Sequence, residues 1–181
     1  MTVVKIETPH ELFDHVVTLD VNELLAAPTD IRRAYHACIS LLSLRDWIFQ
    51  KYANQPWSWQ NKSQGQMKSK TQFQTALNTI EKSYEIVTDI ANASKHMVLE
   101  TNRSQTNLYG SENVEIVAVK TATGGAIIGG FMLNTVMFNQ PPTISTSYRI
   151  QVKIDATYFD VLTCVVKANA LWVSLLQENS W

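Results

Sequence analysis

"NVEIVAVKTATGGAIIGGFML", residues 113 to 133, is where the chain changes character. β-Branched runs lie on both sides of Gly124-Gly125, which predicts two strands joined by a tight hairpin, since glycine readily takes the positive φ such turns need. "TSYRIQVKID", residues 146 to 155, follows Pro141-Pro142 and alternates as a third strand should. A three-stranded antiparallel β-meander over 112–155 is therefore expected. What precedes and follows it has helical spacing, so the strands are segregated and the class is α+β.

Downstream, Thr157 with Asp160 resembles a helix-start signal, and Phe159, Leu162, Val166, Ala170 and Val173 recur in steps of three and four. This predicts a C-terminal helix over 157–178. Upstream, Thr8-Pro9 opens a short helix to about Val17 and a second spans Val21 to Ala26, ended by Pro28. A long helical pattern then runs from Thr29 or Asp30 to about Ala53. "NQPWSWQNKSQGQMKSK" breaks it, so residues 54–69 are expected as a mobile loop. A second long helix follows from Thr71 to Leu99. Two long helices joined by a flexible loop should lie antiparallel. The expected architecture is a single domain, 1–181, with a helical bundle over 7–100, the meander, and the last helix packed on the bundle.

A chain of 181 residues can bury roughly 70% of its unfolded surface. Hydrophobic residues make up 45% and charged residues 17%, a globular composition. Fifteen Lys plus Arg against 16 Asp plus Glu leave a net charge of -1, with no long-range attraction toward nucleic acid or anionic lipid. Cys38 and Cys164 sit in apolar helical patterns without zinc or redox spacing, so they read as buried thiols, and neither metal nor cofactor is expected. "MTVVKIETPHELFDH" lacks a long apolar segment and no run approaches a membrane span, which points to a cytoplasmic protein with no membrane contact. "GGAIIGG" lacks the strand-to-helix order of a phosphate loop, and no serine sits in a nucleophile elbow.

On a helical wheel Glu85, Asp89, Asn92 and His96 fall on one strip of the second long helix, with Lys95 beside it. Three readings are open: a solvent face, a buried structural network, or a covered cleft in which carboxylate, amide, ammonium and imidazole converge. On the first long helix Arg32, Arg33, His36, Ser40, Ser43, Trp47 and Lys51 share a face. Trp47 is expected against the final helix, with a subunit contact or a cleft lid as alternatives. His36 paired with His96 would make an acid/base couple, while two histidines without a third ligand argue against zinc. Arg45 falls within the apolar arc and needs a carboxylate partner, with Asp89 the first choice and Asp46 too close along the helix, unless its head escapes to water. Trp57 and Trp59 beside Lys62, Lys68 and Lys70 form an aromatic-basic loop of the kind that holds single-stranded RNA or DNA.

"DIANASKHMVL", residues 89 to 99, with "AYHACISLLSLRDWIF", residues 34 to 49, and the closing strand and helix with Trp172, resembles a group of bacterial and phage proteins that share an Asn-x-x-Lys-His helix signature. That group is similar to the HEPN-like helical bundles. Active HEPN ribonucleases carry an arginine, often followed by asparagine, then a histidine, and commonly assemble the site across a homodimer. Asn92 and His96 match the asparagine and the histidine, and Ala91 stands where the arginine would be. Without that cation, charge developing on a scissile phosphate loses its main stabiliser unless Lys95 or Arg45 replaces it in space. The resemblance implies a HEPN-like domain acting as a non-catalytic binding or assembly protein, in a phage-defence or toxin-antitoxin type of system. The candidate binding residues are Asp89, Asn92, Lys95, His96, His36 and Arg45. The alternative it implies is a metal-independent ribonuclease using His96 as general acid/base with Asn92 and Lys95. A homodimer, a protein partner or RNA are the partners it suggests.

Overall fold

The computed structural model describes residues 5–94, 114–123, 125–128, 131–134, 143–154, 157–179 and 181, with side chains described over 5–94, 148–154, 157–179 and 181. The fold is mixed α+β and mostly helical. Thr8 starts the first helix with a capping box: its hydroxyl accepts from Glu11 N at 3.1 Å, and Glu11 Oε2 accepts from Thr8 N at 2.9 Å. The two expected N-terminal helices are one helical run, α1 (Pro9–Leu12) passing through a π-helical turn (Phe13–Val17) into α2 (Thr18–Ala26). Asp30 caps α3 (Ile31–Tyr52), accepting from Arg32 N at 2.9 Å and Arg33 N at 3.3 Å.

Residues 54–69, expected as a mobile loop, form a hairpin of β1 (Pro56–Trp59) and β2 (Lys62–Gln66). Gln60 and Asn61 between them have φ 50 and 59, the left-handed pair of a two-residue primed turn. Polar composition concealed this hairpin because its anchors are tertiary. Trp57 is buried against Phe73 and Trp181, with ring centroids 5.3 and 6.2 Å away. Glu178 accepts from Gln60 N at 2.8 Å and Asn61 N at 2.6 Å, holding the turn from the far end of the chain.

The second long helix is divided in two, α4 (Lys70–Ile80) and α5 (Lys82–Ala93). Glu81, at φ -138 and ψ 105, ends the first by donating its N–H to Leu77 O, and caps the second by accepting from Ser83 N at 3.0 Å. No glycine or proline marks this break, so helical spacing ran through it. Residues 95–99, the expected end of that helix, lie outside the described residues.

The sheet differs from a simple meander. β3 (Val114–Thr123) pairs with β6 (Thr143–Ile154) in an unbroken antiparallel ladder from Val114↔Val152 to Thr123↔Thr143. β4 (Gly125–Ile128) and β5 (Phe131–Asn134) form their own antiparallel pair, closing between Ile128 and Phe131, one glycine pair later than expected. β7 (Thr157–Asp160) extends the first sheet, giving the order β3-β6-β7. Thr157 is therefore a strand residue, not a helix start. Asp160 is the cap of α6 (Val161–Glu178), accepting from Thr163 N at 3.0 Å.

α5 packs on both α3 and α6. The core runs through Leu41, Leu44 and Ile48 of α3, Tyr84 and Ile90 of α5, and Trp172 of α6. Ile150, Val152 and Ile154 turn one face of β6 into that core, as the alternation of "RIQVKI" requires. Among the described residues no helix is long and apolar enough to cross a membrane.

Candidate functional site

α5 packs against α3, α4 and α6, and the described residues of its polar strip, Glu85, Asp89 and Asn92, are not a solvent face. Asp89 is 0% exposed, Glu85 8%, and Asn92 is half-buried. Lys82 donates an ion-paired hydrogen bond to Glu85. Lys95 and His96 lie outside the described residues, so no pairing of His36 with His96 enters the geometry.

Beneath this face runs a chain of polar side chains across α3, α4 and α5. Arg45 is buried, which decides between the paired and the water-reaching alternatives, and its partners are Asp46 and Gln74 rather than the first-choice Asp89. Its Nε donates to Asp46 Oδ1 at 2.8 Å, Nη2 donates to the same oxygen, and Nη1 donates to Gln74 Oε1. The adjacent carboxylate serves because Arg45 lies at the edge of the core, where Asp46 is 41% exposed and also meets Lys70 at 3.2 Å. Gln74 passes the network on, donating to Thr88 Oγ1 at 3.2 Å and Asn78 Oδ1 at 2.6 Å. Thr88 Oγ1 in turn donates to Tyr84 O at 2.9 Å. Gln74 was invisible in the sequence, since a glutamine on a polar-looking helix carries no sign that α3 and α5 will enclose it.

Above the network the Tyr84 and Trp172 rings meet edge to face at 5.6 Å. Tyr84 Oη and Trp172 Nε1 are both buried without a hydrogen-bond partner among the described residues. Thr88 and Trp172 approach the hydroxyl without completing a bond, and burial pushes its pKa far above the ordinary phenol range, against a smaller opposing pull from Arg45. The group is a neutral hydroxyl, not a base. Burial likewise raises both thiols, Cys164 to about 11 and Cys38 further. Nucleophilic thiolates are thus suppressed at neutral pH.

Two surface hollows complete the candidate site. The first, of about 480 Å³, lies between the N-terminal helical run and α3. Leu12, Val16 and Asp20 form one wall, and His36, Ile39, Ser40, Ser43 and Trp47 the other. Trp47, expected against the final helix, thus stands beside α1 and the π-helical turn. The second is a furrow along α6, made of adjoining hollows of about 600, 330 and 220 Å³ that share Lys167. Tyr148, Leu162 and Val166 line its widest part, and Tyr148, Tyr158 and Val166 are 59%, 50% and 42% exposed. The sequence missed this furrow because its walls come from β6, β7, α5 and α6. Of the aromatic-basic loop, Trp57 is lost to the core, and only Trp59 reaches the furrow. Among the described residues no three His, Cys, Asp or Glu gather as a metal site.

No family model, no curated protein and no solved structure matches the chain.

Proposed function

We propose that the chain is a non-catalytic binding and assembly domain of HEPN-like helical-bundle type, which holds a partner in the furrow beside α6. The observation that carries this reading is the coincidence of exposed Tyr148, Tyr158 and Val166 with a concave surface beside Lys167. Apolar side chains that stay in water along a groove are what a binding surface requires. The polar network supports the same reading from the other side. Arg45 is spent on Asp46 and Gln74, Tyr84 is neutral, and the thiols are protonated, so these groups hold helices together rather than poise a reaction.

An anionic apolar dye, anilinonaphthalene sulfonate, tests the furrow. The native protein is expected to enhance its fluorescence, and Tyr148→Ser combined with Val166→Ser to abolish that gain without unfolding. Equal fluorescence from both proteins would remove the furrow from consideration. Single-stranded RNA incubated with wild type and with His96→Ala separates this reading from its rival. Neither protein is expected to cleave. Cleavage by wild type that His96→Ala loses would put a metal-independent ribonuclease in its place.

A further inference from the structure

The hollow between the N-terminal helices and α3 has chemistry of its own, separate from the furrow. Among the described residues its lining holds one carboxylate, Asp20, and no lysine or arginine. Its two hydroxyls are already committed as donors. Ser40 Oγ donates to Ala37 O at 3.1 Å and Ser43 Oγ donates to Ile39 O at 2.8 Å, both carbonyls of their own helix. Each hydroxyl therefore turns only lone pairs outward. The Trp47 indole lines the same hollow, and the face of such a ring attracts cations. Leu12, Val16 and Ile39 supply an apolar floor. Apart from the N–H groups of Trp47 and His36, this described lining consists of acceptors, a π system and aliphatic carbon, and with Asp20 its one carboxylate it disfavours anions.

From this convergence we infer that the hollow is a binding site for a small organic cation, a protonated amine carried on an apolar body. The ammonium sits between Asp20 and the Trp47 ring and donates to the outward lone pairs of Ser40 and Ser43, while its hydrocarbon covers Leu12 and Val16. His36, exposed at the rim, closes the polar end as a further acceptor when neutral. The volume of about 480 Å³ matches a small molecule rather than a folded partner.

The test compares ligands that share one body. n-Hexylammonium, n-hexanol and n-hexanoate are titrated into isotopically labelled full-length protein, followed by amide and indole N–H shifts. Saturable movement of the Trp47 indole signal is expected with hexylammonium, with hexanol bound about tenfold more weakly, the loss of one charge-assisted contact, and hexanoate weaker still. Asp20→Asn, which keeps size and shape, is expected to lower hexylammonium affinity about tenfold and leave the rest of the spectrum in place. Trp47→Leu should weaken the ammonium more than the alcohol, which a purely structural role for the indole would not produce. No saturable shift up to the solubility of the probe, equal binding of hexanoate, or unchanged affinity in Asp20→Asn would each overturn the inference. Tighter binding of a blocked lysine than of hexylammonium would also overturn it, and give the hollow to the side chain of a protein partner.

Discussion

Asn179 pairs in both directions with the backbone of Ser58: its Oδ1 accepts from Ser58 N at 2.9 Å and its Nδ2 donates to Ser58 O at 3.0 Å. One side-chain amide thereby acts as a missing strand neighbour for β1, and joins the hairpin to the end of α6. Asn179→Ala leaves Ser58 N–H and C=O in a part-buried place without partners. The expected loss is about 2 kcal/mol, read from the urea midpoint. Asn179→Asp, which keeps the acceptor alone, should fall between wild type and Asn179→Ala.

Arg45 and Asp46 should respond unequally to removal. Arg45→Met takes away a charge whose partner keeps Lys70 and considerable exposure, whereas Asp46→Ala strands a buried guanidinium on Gln74 alone. Asp46→Ala is expected to cost roughly 3 kcal/mol and Arg45→Met roughly 1, by chemical denaturation. The reverse order would show that the cation escapes to water.

The thiols make stability fall in alkali. Burial holds Cys164 at about 11 against an ordinary value of 9.0, so the folded state keeps a proton that the unfolded state gives up. Its contribution is complete below pH 9.0 and is lost as pH rises toward about 11. The slope for one such group is about 1.4 kcal/mol per pH unit. Denaturation midpoints between those two values should decline more gently in Cys164→Ala than in wild type.

The turn at Gln60-Asn61 can be improved. Both residues are left-handed, and glutamine tolerates that region less well than asparagine. Gln60→Asn is expected to raise stability by about 0.5 kcal/mol. Glu178→Gln should lower it by removing the charge from two backbone hydrogen bonds, measurable as a shift in thermal midpoint.

Periodicity and caps carried much of the fold into view. The span of α3, the alternation of Ile150, Val152 and Ile154, the mixed α+β class and the burial of Cys38 were all legible, because each follows from side chains a few residues apart, whereas the β1–β2 hairpin interrupts the expected segregation of strands from helices. The break at Glu81 escaped because nothing in its residue type forbids a helix there, and the hairpin escaped because its polar strands are held by Trp181, Glu178 and Asn179. Of the candidate residues, Arg45, Asp89 and Asn92 enter the enclosed bundle and His36 opens onto a hollow. Gln74, Tyr148 and Lys167 carried no local signal at all.

By itself, then, the sequence determined which faces are apolar, where most helices begin, and that an arginine in an apolar arc must find an acceptor. Only the tertiary structure decided that Asp46 and Gln74 are that acceptor, that Asp89 is enclosed, and that Asp20 and Trp47 come to line one hollow. The reason is one of range. Period and capping are energies of near neighbours, whereas what covers a face depends on segments far apart in the chain that the hydrophobic core draws together.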